Sequence, residues 1–205
     1  MRLPLFVLFL LASPGAADPV ASEIRSSAVK ARDLPAGVTV RGEFHSGIKF
    51  ADANGTNYLL FSRKTARQSA MLFVEDWVVP AKGAPRNLLP VRDLVEDCEM
   101  GGVSALFHDA ARGVTDLDGD GIAEVTFAYE VACRSDVSPA TYKLLVLEDG
   151  KKYILRGETT VDPGDGVIMG GKFTAEPSES RWPAEFLRHA KRVWATTSGD
   201  LGMKQ

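Results

Sequence analysis

Between about residues 38 and 156, short runs of β-branched, aromatic and aliphatic residues alternate with polar ones and are separated by clusters of Gly, Asp, Asn and Pro. That is the pattern of strands joined by tight turns. In 38–44 the alternation sets Val38, Val40, Gly42 and Phe44 on one side, His45-Ser46-Gly47 reads as a turn, and Asp52-Ala53-Asn54-Gly55 as another. Candidate strands follow at 57–63 and 69–77, then a Pro- and Gly-containing connection over 80–90, then strands at 91–98, 103–107 and 124–131. Val125, Phe127 and Tyr129 share one face of the last of these. The clearest hairpin joins 142–147 to 152–156 through Glu148-Asp149-Gly150-Lys151, because Asp-Gly accepts the positive φ angles of a tight turn. Leu144 to Leu147 is continuously apolar, as expected of a strand covered on both faces. Residues 164–171 read as a loop, after which Trp182, Phe186, Ala190 and Val193 or Trp194 recur at helical spacing, with Pro183 in the first turn. The expected fold is mainly β, of antiparallel strands and hairpins, with one C-terminal amphipathic α-helix at about 181–196: a β-rich α+β domain over 18–205.

The N-terminus changes where that domain is placed. Arg2 precedes an apolar run from Leu3 to Ala12, and Ser13-Pro14-Gly15-Ala16-Ala17 ends it. A charged start, a short apolar stretch and small residues make a signal peptide over 1–17, cleaved after Ala17. The run is too short for a bilayer, which needs about 20 apolar residues. No later run is long enough to span one, and no cysteine stands at the junction to carry a lipid. The expected location is the periplasm or the medium. Of 205 residues, 45% are hydrophobic and 25% charged, with a formal net charge of −3. No overall positive field favours nucleic acid. Export also bears on Cys98 and Cys133, the two cysteines, since disulfides persist in oxidising compartments. Paired across 35 positions, they would contribute about 3–4 kcal/mol by loop-closure entropy. The alternative, a reactive thiol or metal site, lacks CxxC spacing or a nearby histidine.

Candidate chemistry is concentrated in Asp116-Leu117-Asp118-Gly119-Asp120-Gly121-Ile122-Ala123-Glu124. Carboxylates at loop positions 1, 3, 5 and 9 repel one another unless a cation lies among them, and a glycine at position 6 permits the sharp turn. Hard oxygen donors in this number select Ca²⁺ over a transition metal. The expected ligands are Asp116, Asp118, Asp120, the carbonyl of Ile122, and Glu124. Position 12 is Phe127 where an EF-hand requires glutamate, so the loop is not an EF-hand. The other reading is a solvated polar turn in which Asp and Gly serve backbone geometry alone.

The nine residues are similar to the Asp-rich loops of FG-GAP and integrin-α-type β repeats, in which an acidic residue at position 9 completes the cage. A longer stretch resembles exported bacterial proteins labelled as surface polysaccharide biosynthesis proteins. It runs from Asp93-Leu94-Val95-Glu96-Asp97-Cys98 through Val114 to Val125, then Cys133-Arg134-Ser135-Asp136-Val137-Ser138-Pro139, Lys143, and Lys152-Tyr153-Ile154-Leu155-Arg156-Gly157. The resemblance implies an association with surface glycan and no particular reaction. Asp136 is a candidate second acidic rim beside the first, or an ordinary turn ended by proline.

Three functions remain open. The favoured one is a non-catalytic, Ca²⁺-braced exported β-domain that binds or presents surface polysaccharide. The second is a glycan-acting enzyme with paired carboxylates, drawn from Asp93, Glu96, Asp97, Glu99 and Asp136. The third is an envelope protein without a glycan ligand. His45, His108 and His189 are scattered, no GxSxG or HExxH motif occurs, and His108-Asp109 is the one histidine beside a carboxylate. No catalytic residue is assigned.

Overall fold

A computed structural model describes residues 22–99, 101–164 and 166–201; the expected signal peptide lies outside them. The chain order is β1 (Ser22–Glu23), β2 (Ser27–Ala28), β3 (Glu43–Asp52), β4 (Gly55–Thr65), β5 (Ala70–Val79), β6 (Arg86–Val95), β7 (Gly102–Asp116), β8 (Glu124–Arg134), β9 (Thr141–Glu148), β10 (Lys151–Glu158), β11 (Thr160–Val161), β12 (Met169–Gly170), β13 (Phe173–Glu176) and α1 (Ala184–Thr197). Five strands form one sheet in the order β2-β3-β4-β5-β6, and six form another in the order β1-β7-β8-β9-β10-β13. The strands of both sheets pair antiparallel throughout. The mainly β class with a single C-terminal helix is what the hydrophobic pattern led us to expect.

Alternation along the strands builds two large cores, one on each face of the six-stranded sheet, and a smaller third. Phe50, Leu59, Phe61, Leu72 and Val74 of the five-stranded sheet meet Phe107, Val125, Phe127, Tyr129, Leu145 and Leu147 of the six-stranded one. Phe61 stands edge-on to Phe127 at 5.6 Å and to Phe107 at 5.1 Å, an arrangement favoured by the ring quadrupoles. On its other face the six-stranded sheet presents Ala128, Tyr142, Leu144 and Val146 to Trp182, Phe186, Ala190 and Trp194 around α1. The run Leu144–Leu147 therefore sends its side chains alternately into both cores, which is why it carries no polar position. Beyond the five-stranded sheet, Val38, Val40 and Leu34 cover Tyr58 and Leu60.

Several expected boundaries move. Residues 38–42 are not a strand; β3 starts at Glu43, and Val38 serves as a cover over the sheet. His45-Ser46-Gly47 is not a turn but the site of a bulge between Phe44 and Ser46 inside β3. Gly47 is there for close approach, since a Cβ would sit 2.7 Å from Val29 Cγ1. The expected loop over 80–90 ends early, because β6 begins at Arg86 and runs through Pro90. Proline is tolerated there because β6 is a sheet edge. The strand expected at 91–98 ends at Val95, and that at 103–107 extends to Asp116 across a register shift between His108 and Gly113. In the expected loop 164–171, Met169–Gly170 pairs with Thr160–Val161. Glu179–Arg181 is a 3₁₀ turn, Pro183 is the N-cap, and α1 begins at Ala184.

Candidate cation site at the β7–β8 loop

The acidic loop joins β7 to β8 and is organised by its own carboxylates. Asp116 Oδ1 accepts the Gly119 N–H (2.7 Å), Asp116 Oδ2 the Gly121 N–H (3.2 Å), and Asp118 Oδ1 the Asp120 N–H (3.2 Å). Asp120 Oδ1 accepts the Ile122 N–H at 2.7 Å. Gly119 and Gly121 have φ of 80° and 84°, left-handed angles that let the loop curl around its acids without a Cβ penalty. The tip of the β3–β4 hairpin is tied to it: Ala53 N–H donates to Gly121 O (2.9 Å), and Ala123 N–H donates to Asp52 Oδ2 (3.2 Å).

Oxygens of Asp116, Asp118 and Asp120 lie within 4.8 Å of one another, and so do oxygens of Asp118, Glu124 and Glu148. Glu124 is fully buried, at 0% exposure. Its Oε2 accepts the Leu117 N–H at 2.6 Å, whereas its Oε1 has no hydrogen-bond partner among the described residues. A buried acceptor left unpaired costs about 1–3 kcal/mol. Burial pushes the Glu124 carboxyl up to about 8; the Leu117 N–H opposes the rise, and the charges of Asp118 and Glu148 add to it.

Glu148 is the residue that sequence reading assigned only to a turn. The β8–β9 register that pairs Val125 with Leu147 sets Glu124 opposite Glu148. Like charges facing across strands are destabilising, and Lys151 Nζ, 2.9 Å from Glu148 Oε2, is the one ammonium at this pair among the described contacts. Nearby, Asp76 is 4% exposed, and its Oδ1 is also unpartnered. Burial, then the charges of Asp52 and Asp149, raise its carboxyl to about 7. The same end of the molecule thus carries the tips of three hairpins and most of its crowded acids.

The disulfide Cys98–Cys133 is formed, with Cα atoms 5.5 Å apart. It lies near the far end of β8 from Glu124. Asp136 lies beyond that far end as well, with Oδ1 accepting the Ser138 N–H at 2.9 Å. Asp136 is therefore not beside the acidic loop, because the length of β8, Glu124–Arg134, runs between them. Its loop lines a polar hollow with Arg134, Ser135 and Ser138. Ile122 is half-buried within the acidic loop.

His108, His189 and Asp93 are engaged in structural contacts, while Glu96, Asp97 and Glu99 are exposed. His108 does not pair with Asp109, which bonds Arg112 at 2.7 Å. It is buried between Glu130 Oε2 (Nε2, 2.8 Å) and the carbonyl of Thr197 (Nδ1, 2.9 Å). Glu130 Oε2 also accepts the Leu201 N–H at 3.1 Å, and Arg134 forks onto both carboxylate oxygens of Asp200 at 2.6 and 2.7 Å. These contacts moor the segment after α1. His189 meets Thr126 Oγ1 at 3.0 Å, and Asp93 pairs with Lys143. Among the described residues no helix is long and apolar enough to cross a membrane. No family model, curated protein or solved structure matches the chain.

Proposed function

We propose that the protein is an exported, non-catalytic β-domain, braced by Ca²⁺ at the β7–β8 loop and by its disulfide, that binds or presents surface polysaccharide. The observation that carries the calcium part is the fully buried, unpartnered Oε1 of Glu124, a carboxylate grouped with Asp118 and Glu148 beside the more exposed group of Asp116, Asp118 and Asp120. Crowded, desolvated carboxylates are costly without a counter-charge, and oxygen donors at irregular spacing suit Ca²⁺ better than octahedral Mg²⁺. The disulfide supports an oxidising compartment, the periplasm or the medium. The glycan part rests on the resemblance spanning Asp93 to Gly157.

Burial removes Glu124 as the acid of a carboxylate-based glycosidase, whereas Glu96, Asp97, Glu99 and Asp136 are exposed. Glu124 has the raised carboxyl and the neighbouring Glu148 that such chemistry wants. A general acid must touch its substrate, however, and Glu124 offers no surface to a sugar.

Thermal melts in excess EDTA and in millimolar CaCl₂ test the cation. Calcium is expected to raise Tm, by an amount equivalent to about 2.7 kcal/mol at 100 times the Kd, and Asp118→Ala and Asp120→Ala are expected to abolish the gain. Unchanged melting in calcium would reduce the loop to a polar turn. Incubation with the producing organism's surface glycan tests the rest: saturable binding without new reducing ends or released acyl groups is expected, and turnover would overturn it.

A further inference from the structure

We propose that the acidic end holds two divalent cations, bridged by Asp118, with Glu148 of the β9–β10 hairpin as a ligand that the loop motif does not contain. The inference rests on the calcium reading above and goes beyond it in number and ligand set.

Ca²⁺–oxygen distances of about 2.3–2.6 Å mean that two ligands of one ion are never more than about 5 Å apart. The carboxylates meet that limit as two sets of three sharing Asp118: Asp116, Asp118 and Asp120 on the outside, and Asp118, Glu124 and Glu148 on the inside. The two sets differ in setting. The outer one is largely exposed and formed by the loop alone, whereas Glu124 and Glu148 are buried side by side on neighbouring strands. Their own hydrogen bonds divide them the same way. Asp116 turns both oxygens to the N–H groups of Gly119 and Gly121, and Asp120 turns one to Ile122, so these acids are oriented by the loop. Glu124 Oε2 is held by Leu117, while its buried Oε1 has no hydrogen-bond partner among the described residues and is free to meet a cation.

Charge points to the same count. Three carboxylates per set, with one shared, carry five negative charges once Glu124 is ionised, the form a bound cation favours. Lys151 supplies one positive charge, from an exposed position on Glu148. One divalent ion in the outer ring leaves the inner pair facing each other with no more compensation than before. A second ion between Glu124 and Glu148 supplies it, and in doing so ties the β9–β10 hairpin to the β7–β8 loop.

Native mass spectrometry and calorimetric titration of the EDTA-stripped protein with CaCl₂ read the number of ions directly. Two Ca²⁺ per chain are expected for the wild type. Glu148→Gln is expected to leave one, Asp116→Asn to remove the other, and Asp118→Asn to weaken both at least tenfold. A wild-type stoichiometry of one, or Glu148→Gln retaining full stoichiometry and affinity, overturns the two-ion inference and leaves the calcium reading standing. No uptake at millimolar CaCl₂ overturns both. The wild-type count decides alone should Glu148→Gln fail to fold.

Discussion

Glu124 and Asp76 are buried acids with an oxygen to spare, and their cost depends on pH. Both carboxyls are raised, to about 8 and about 7, above the values near 4 of an unfolded chain. Between those limits the folded state holds more protons than the unfolded one, so stability falls as pH rises. In EDTA, the unfolding free energy is expected to drop by a few kcal/mol between pH 5 and pH 8.5, with Glu124→Gln and Asp76→Asn each flattening part of the slope. A flat or rising profile in urea titrations would count against these two burials. Calcium is expected to reverse the Glu124 contribution, because a bound ion favours the ionised form. At this scale the motif showed Asp116, Asp118, Asp120 and Glu124 as one group in the sequence, since they are near neighbours in the chain. Glu148 was not legible, because only strand register brings it opposite Glu124.

The elements divide along the same line between local and distant causes. The hairpin of β9 and β10 and the helix α1 were legible because their signals are local: a tight Asp-Gly turn, and Phe186, Ala190 and Trp194 at helical spacing. The bulge in β3, the length of β7 and the passage of β6 through Pro90 were not. Each depends on what lies on the neighbouring strand rather than on the strand's own sequence. Gly157 is an example with a measurable consequence. It faces Phe173 on β13, and a Cβ there would lie 1.8 Å from the carbonyl of Lys172. Gly157→Ala is therefore expected to push β13 away and loosen Phe173 against Trp194, whose rings are 5.0 Å apart. A loss of about 1–3 kcal/mol in urea unfolding is the expected size of such overpacking. No loss would mean that β13 shifts freely.

For the whole molecule, the acidic loop and the disulfide lie at opposite ends of β8: Glu124 stands at its start, and Cys133 near its end is bonded to Cys98 in the connection between β6 and β7. Glu124 and Cys133 are nine residue steps apart along β8, about 30 Å at a rise of 3.4 Å per residue. Braces that far apart share no partners, so their contributions should add. Reducing the disulfide is expected to cost about 3–4 kcal/mol, and chelating calcium a further, separate amount. In a two-by-two comparison by urea unfolding, the combined loss should equal the sum to within about 0.5 kcal/mol; a larger coupling would show that the two ends unfold as one unit. The passage of β6 through Pro90 has an effect beyond this chain. Ten residues of open sheet margin, Arg86–Val95, would ordinarily invite a strand from a neighbouring copy. Pro90 withholds a donor midway along it, and Arg86 and Arg92 add exposed positive charges. That margin is poorly suited to templating fibrils.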